Sequence, residues 1–221
     1  LSSGYKYTKS EITNFKNASG FNAKNAGYKD NKIPFYYSYA TNDTTLSFTS
    51  NKDFHGAHVS GIAGANNTIE GIAPNSQLAL MRVTNARGVF DENAVVKALD
   101  DCAKLDVDAI NMSFGNSLLD YTINDAIKSC LENLKTLGID VNVAAGNDGR
   151  RNFNNGVGEY SSTSNVETGE IGSYASQNSV VSVGALDIDE DVTINSSFAS
   201  YSGTTFYARD QIVNHAINKD G

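Results

Sequence analysis

Short apolar runs alternate with stretches of helical periodicity along the middle of the chain. The apolar runs predict strands at residues 77–83, 109–112, 141–145 and 180–185. Apolar residues at helical spacing predict helices at residues 57–65, 93–105 and 123–137, the last ended by Gly138. Strands and helices that alternate through short connections indicate βαβ units. The pattern therefore predicts an α/β fold, a parallel sheet flanked by helices, and the small apolar residues of 57–65 predict a buried helix.

The two ends of the chain and one internal stretch lack this alternation. The first fifty residues are rich in Asn, Lys, Ser, Thr and Tyr, and only residues 33–39 predict a strand there. The rest of that segment is expected to be a surface excursion. Residues 149–178 form a polar stretch too long for a tight connection, which is typical of a functional or variable loop. After residue 187 the chain becomes polar and loses its pattern.

Composition narrows the class of protein. The 221 residues suit one ordinary domain, and 40% hydrophobic with 19% charged residues is typical of a globular chain. No run of about eighteen apolar residues is present to predict a membrane span. The net charge of −8 argues against nucleic acid or an anionic membrane as the main partner, because both attract basic patches.

Cysteine and histidine offer little metal chemistry. Cys102 and Cys130 both fall in predicted helices, where a buried free thiol is the more common state, although a disulfide between them stays an alternative. His55 and His58 are three residues apart, and no Glu follows in the His-Glu-x-x-His pattern of zinc helices. The sequence therefore predicts no metal site.

Three segments carry candidate chemistry. Residues 111–115 (NMSFG) and 144–147 (AAGN) each leave a predicted strand, and open α/β sheets place their sites beyond the carboxyl ends of strands. The Asn147 amide could donate to an oxyanion on an attacked carbonyl, although Gly and Asn also suit ordinary strand-end turns. His55, near a predicted helix start, could act as a general base; capping or packing is the alternative.

Together these segments resemble motifs of the subtilisin-like serine proteases, the subtilases. The similar segments are HGAHVSG at 55–61, GIAP at 71–74, NMSFG at 111–115, AAGN at 144–147, SVVSVGA at 179–185 and SFA at 197–199. They span roughly residues 53 to 203 in the family's order, and Ala57 replaces the family's usual Thr. The resemblance implies the subtilisin-like three-layer α/β fold.

The resemblance also implies roles for individual residues. His55 would be the general base and His58 a structural residue. The backbone of Ser113, Phe114 and Gly115 would pair with the substrate as an added strand, and Met112 and Phe114 would shape the pocket. Segment 144–147 would supply a wall of the primary specificity pocket through Ala144, Ala145 and Gly146, and the oxyanion donor through Asn147.

Two parts of the family's Asp-His-Ser triad have no counterpart. Before His55 the only aspartates up to residue 52 are Asp30 and Asp43, and neither follows a hydrophobic strand. After Asn147 no segment resembles Gly-Thr-Ser-Met-Ala; the nearest is GTT at 203–205. The chain resembles the large Gram-positive cell-envelope proteases, the lactocepin and C5a-peptidase group. We therefore interpret the chain as an internal fragment of such a protease. Residues 1–52 would be a polar excursion between the Asp and His motifs, residues 53–187 a partial catalytic core, and residues 188–221 the end of that core, leading toward an inserted domain.

The expected function is a serine endopeptidase that cleaves protein substrates through an acyl-enzyme, with this chain inactive alone. A non-catalytic pseudoprotease or peptide-binding module is the alternative. A nucleotide-binding domain is disfavoured because no Gly-x-Gly-x-x-Gly or Walker motif is present. The resemblance implies catalysis without a cofactor; structural calcium is common in the family, but no Asp/Asn loop here matches a calcium pattern. It also implies a secreted or cell-wall-attached protein that is monomeric as part of a larger chain.

Overall fold

The computed structural model describes residues 5–46, 55–85, 89–115, 123–146, 151–152, 159–160 and 172–184. Contacts divide the chain into two compact units, Leu1–Val107 and Asp108–Gly221. Each has parallel strands and helices, which confirms the predicted α/β class. None of the helices in the described ranges is long and apolar enough to cross a lipid bilayer. The domain boundaries expected near residues 52 and 187 fall outside the described ranges and stay predictions.

The described residues of the first unit form three helices and two strands. These are α1 (Lys9–Asn17), β1 (Phe35–Ser38), α2 (His55–Gly64), β2 (Ala79–Arg82) and α3 (Glu92–Leu105). Strands β1 and β2 are parallel, with Phe35 opposite Ala79 and Ser38 opposite Arg82. The strands predicted at 33–39 and 77–83 and the helix predicted at 93–105 are therefore confirmed, with the two strands shorter than expected.

The expectation that the rest of the first fifty residues forms a surface excursion is wrong. Helix α1 begins after Thr8, whose side chain caps the Glu11 amide while the Glu11 carboxylate accepts from the Thr8 amide. Ile12, on this helix, is buried, and Phe21 packs edge-on against Phe35 with ring centroids 6.1 Å apart. The segment therefore contributes a helix and aromatic side chains to the core of this unit.

A buried carboxylate fixes the aromatic segment to α3. Asp101 is fully buried and accepts hydrogen bonds from the Ala23 amide at 2.9 Å and the Tyr39 hydroxyl at 2.9 Å. The amide of Asn22 donates to the same carboxyl at 2.8 Å. Burial and the neighbouring Asp101 raise the pKa of Tyr39, so the phenol stays protonated. Its hydroxyl therefore donates a hydrogen bond to the carboxylate. The buried Asp101 carboxylate therefore has hydrogen-bond partners from the segment that it holds.

The second unit is built on a parallel sheet of three strands. Its elements are β3 (Ala109–Met112), α4 (Asp125–Thr136), β4 (Asp140–Ala144), β5 (Arg151–Asn152), β6 (Glu159–Tyr160) and β7 (Val181–Val183). The sheet has the order β3-β4-β7, and β5 and β6 form a separate antiparallel pair. The predicted strands at 109–112, 141–145 and 180–185 and the helix predicted at 123–137 are confirmed. Helix α4 and strand β7 are shorter than predicted, and β4 lies one residue earlier.

Helix α4 ends as the sequence predicts. Gly138 has φ of +78°, a left-handed conformation that glycine adopts without steric cost. The amide of Ile139 donates to the Leu134 carbonyl, and the Gly138 amide donates to the Lys135 carbonyl. These two bonds form a Schellman motif and satisfy carbonyls that the helix leaves open. They turn the chain directly into β4.

Candidate active site

His55 is the first residue of α2, as predicted, and His58 lies one turn further along. Partial burial lowers the pKa of the His55 imidazole below its ordinary value, and the electrostatic effect of His58 lowers it further. The imidazole is therefore neutral at neutral pH. A neutral imidazole can accept a proton, which a general base requires.

The expectation that α2 is buried is wrong for the described part of the chain. Of its ten residues only Gly64 is buried, and Ile62 is 55% exposed. The sequence is misleading because small apolar residues line every side of this helix. Such a pattern is typical of a helix covered all round, but within the described chain only Gly64, at its carboxyl end, is buried and His55 is partly buried.

That carboxyl end is held by backbone contacts with residues 71–73. The amides of Gly71, Ile72 and Ala73 donate to the carbonyls of Ala65, Ile62 and Ala63, each at 2.9 Å. A Cβ at position 71 would lie 2.7 Å from backbone atoms of α2 and the residue after it, so only glycine fits there without displacement. The GIAP segment therefore fixes the helix that carries His55.

In the second unit, residues 113–115 follow the carboxyl end of β3. Within the described part of this unit β3 is one of the two edge strands of its sheet. The Asn111 side-chain amide donates to the Ser113 hydroxyl at 2.9 Å, Phe114 is half-buried and Gly115 is exposed. Met112 is only 2% exposed and belongs to the core of the unit. The exposed backbone beyond an edge strand can accept an extended peptide as a further strand.

Residues 144–146 follow the same end of the neighbouring strand β4. Met112 stands opposite Val143, so the two segments leave the sheet side by side. Ala145 is buried, and its amide donates to the Val183 carbonyl at 2.9 Å. Gly146 is exposed with φ of +91°, a conformation that favours glycine. Asn147 comes next and lies outside the described residues.

A third segment, residues 172–175, lies against both of these, and sequence reasoning missed it. The Gly172 amide donates to the Ala145 carbonyl at 2.7 Å. The rings of Phe114 and Tyr174 meet edge-on with centroids 5.7 Å apart. The segment is short, polar and remote along the chain, so no periodicity marked it. The aromatic Tyr174 within the polar stretch was the one available signal.

The structure thus brings together most of the predicted substrate-binding residues. The segments 112–115 and 144–146 meet at the carboxyl ends of β3 and β4, with 172–175 beside them. No charged side chain occurs in these three segments or in the two residues that follow them, Ser176 and Gln177. His55 belongs to the first unit. The similar segments at 197–199 and 203–205 lie outside the described residues, as does Ala185.

Neither Cys102 nor Cys130 forms a disulfide bond. Cys102 is buried in α3, where burial, with a smaller effect of Asp101, raises its pKa to about 12 and keeps the thiol protonated. Cys130 is half-buried in α4. Within the ranges that the structure describes, no three His, Cys, Asp or Glu side chains come together as a set of metal ligands.

Comparisons with known proteins identify the family of this chain. The family model described as "Subtilase family" matches residues 14–213. The chain is 32% identical to the PI-type proteinase of Lactococcus lactis subsp. cremoris over 154 residues, which are 65% of this chain and 8% of that protein. It is 30% identical to the C5a peptidase of Streptococcus pyogenes over 174 residues, which are 74% of this chain and 14% of that protein. The chain therefore matches only a small part of each of these relatives.

Proposed function

The chain belongs to the subtilase family of serine peptidases, and from that premise we propose that it supplies part of the active site of an endopeptidase. Its substrates would be proteins or peptides, cleaved through an acyl-enzyme. The observation that carries the proposal is the meeting of residues 113–115 and 144–146 at the carboxyl ends of neighbouring parallel strands. We infer that an extended peptide pairs with the backbone there, beside the segment that leads to Asn147.

His55 is the proposed general base. It would take the proton of the attacking serine and pass it to the leaving amine. Its position at the start of α2, its partial exposure and its lowered pKa support this role. His58, exposed one turn along, is proposed to act only through its electrostatic effect on His55.

Asn147 is the proposed oxyanion donor. The left-handed Gly146 turns the chain immediately before it, at the rim of the sheet where an attacked carbonyl would lie. A preorganised amide there stabilises negative charge as it develops on the carbonyl oxygen. We infer that amino-acid side chains suffice for this chemistry, without a cofactor.

The aspartate and serine of the triad have no matching motif in this sequence. We infer that they lie in a longer chain and that residues 1–221 alone do not hydrolyse peptides. The proteinases that the chain resembles are many times longer than the matched region, which supports this inference. We also infer a secreted or cell-wall-attached extracellular protein, monomeric as part of that longer chain, from the resemblance to the Gram-positive cell-envelope group.

A pseudoprotease that binds peptides without cleaving them is the second candidate. The edge strand β3 and the lack of a recognisable serine motif favour it. It predicts that the complete gene product binds extended peptides along residues 113–115 and releases no fragments. The two candidates share a peptide-binding edge and differ in hydrolysis.

Casein hydrolysis by the complete gene product, with and without Asn147→Ala, tests the proposal. We expect hydrolysis by the unaltered protein and a fall in kcat of about 10²–10³-fold for the variant, the cost known for losing this donor in a subtilisin. Asn178→Ala is the matched control, because Asn178 is exposed and only its backbone carbonyl accepts a bond, from Lys135. Peptide binding without any hydrolysis would favour the pseudoprotease instead.

A further inference from the structure

Lys32 holds residues 74–78, which begin at the last residue of the GIAP segment. Its half-buried ammonium donates to the Pro74 carbonyl at 2.8 Å and also to the Ser76 carbonyl. The Leu78 amide donates to the carbonyl of Lys32 itself at 2.8 Å. One residue from the amino-terminal part of the chain therefore binds this segment through both its side chain and its backbone.

The backbone that presents this ammonium is itself fixed. The Asp30 carboxylate accepts hydrogen bonds from the amide of Lys32 at 2.9 Å and from the amide of Ile33 at 2.8 Å, an arrangement that stabilises a turn. The Gln77 side-chain amide donates to the Asn31 carbonyl at 2.7 Å. Lys32 therefore extends its side chain from a well-anchored turn.

The segment that Lys32 holds lies against the carboxyl end of α2. A Cβ on Gly64 would lie 2.8 Å from the Ser76 Oγ and 3.1 Å from the Leu78 Cδ2, so the segment packs directly on the helix. The amide and the hydroxyl of Ser76 both donate to the carbonyl of Ala73, whose own amide is bonded to α2. A shift of this segment would therefore move the helix that begins at His55.

We propose that Lys32 is a positioning residue for catalysis, because it fixes residues 74–78 and thereby the placement of His55 on α2. The proposal rests on the peptidase function proposed above, in which His55 is the general base. Helix α2 buries only Gly64 within the described chain, so its position depends strongly on the contacts at its carboxyl end. A displacement at that end would also displace the imidazole at the other end.

The positive charge of Lys32 makes the contact strong. One ammonium serves two carbonyls, and hydrogen bonds from a charged donor are about twice as strong as those between neutral groups. Partial burial lowers the pKa of Lys32 because it disfavours the charged form, and the two carbonyls offset that penalty. A neutral apolar side chain of similar length would leave both carbonyls without this donor. The ammonium is therefore the group that fixes the segment.

Lys32→Met in the complete gene product removes the ammonium and keeps an aliphatic side chain. We expect kcat to fall by about ten-fold or more, since a misplacement of about 1 Å can cost about 10²-fold in rate. KM should stay unchanged, because the peptide-binding segments 113–115 and 144–146 belong to the second unit. Lys32→Gln retains a neutral donor and should show a smaller fall, and it carries the test if Lys32→Met does not fold.

Lys29→Met is the matched control. Lys29 is exposed, and within the described chain only its backbone amide is bonded, to the Ile33 carbonyl at 3.1 Å. The control makes the same change of charge close to Lys32 and should leave kcat and KM unaltered. An equal fall of kcat in the control would overturn the proposal, because the effect would then come from charge alone.

The NMR resonance of the His55 imidazole provides a readout that does not need catalysis. With isotope-labelled histidine, and with His55→Ala to identify the signal, we expect the resonance to shift in both Lys32 variants but not in Lys29→Met. If peptides are cleaved and the Lys32 variants change neither kcat nor the resonance, the positioning proposal is overturned while the peptidase function stands. If nothing is cleaved but the resonance shifts, the positioning role of Lys32 stands and the peptidase function fails.

Discussion

Helices α2 and α3 lie in the same unit, yet they are held in different ways. Helix α3 buries seven residues, including Val95, Leu99 and the carboxylate of Asp101. Helix α2 buries only Gly64, and its carboxyl end is fixed by backbone hydrogen bonds from residues 71–73. The helix that supports the fold is amphipathic and held by its side chains. The helix that carries the proposed base leaves most of its surface uncovered within the described chain.

The largest difference between α3 and α2 is expected when a large side chain is removed from each helix. Leu99→Ala on α3 should lower the free energy of unfolding by about 2–5 kcal/mol, because the buried side chain leaves a cavity. Ile62→Ala on α2 should cost less than about 1 kcal/mol, because more than half of that side chain is already exposed. Urea unfolding of both variants gives the two values. Similar costs would show that α2 is covered as well as α3.

The backbone support of α2 is tested at Gly71, which contacts the helix, and at Gly61 within it. Gly71→Ala should destabilise by about 1–3 kcal/mol, because its Cβ would lie 2.7 Å from backbone atoms, and it should lower kcat by displacing the helix of His55. Gly61→Ala is the matched control, since no atom lies within 4 Å of its Cβ. A helical alanine is favoured over glycine by up to about 1 kcal/mol, so the control should be neutral or stabilising. A harmless Gly71→Ala would contradict the role given to residues 71–73.

The smallest expected effect is a change in the pKa of His55 and so in the pH dependence of activity. Because it is lowered, His55 becomes protonated only below its ordinary range, and activity should persist to correspondingly lower pH. His58→Asn removes one cause and should raise the pKa of His55, moving the acid limb of kcat/KM to higher pH. His58→Lys places a permanent positive charge at this position and should keep the limb low. NMR titration of the imidazole measures the same shift directly, and equal pKa values in the two variants would exclude the influence of His58.

The lowered pKa of His55 also makes the stability of the fold depend on pH. A lowered histidine pKa means that the unfolded chain binds more protons between the folded and the ordinary pKa values. Stability should therefore rise with pH through that window and should decline as pH falls toward the folded pKa. His58→Asn should narrow the window by raising its lower limit.

Elements with a strong period were predictable from the sequence. Helix α3 has apolar residues at helical spacing, the strand at 109–112 is a short apolar run, and the glycine after α4 marks its end. The start of α2 at His55 was also predictable, as was the pairing of the segments after β3 and β4, because parallel strands present the same ends. These features depend on residues close together in the chain.

Features that depend on distant contacts were not predictable. Helix α1 has a polar sequence with one buried residue, Ile12, and only the Thr8–Glu11 capping box marked it. The exposure of α2 depends on which residues pack against it, and the composition of the helix does not predict those residues. The approach of Tyr174 to Phe114 joins residues sixty positions apart, across a stretch without periodicity.

Labelling the complete gene product with a fluorophosphonate probe tests the central claim most directly. Such a probe modifies a serine that a neighbouring base has activated. We predict one adduct, mapped by peptide mass spectrometry to a serine outside residues 1–221, and no adduct after His55→Ala. An adduct on a serine within residues 1–221, or labelling that survives His55→Ala, would contradict the account.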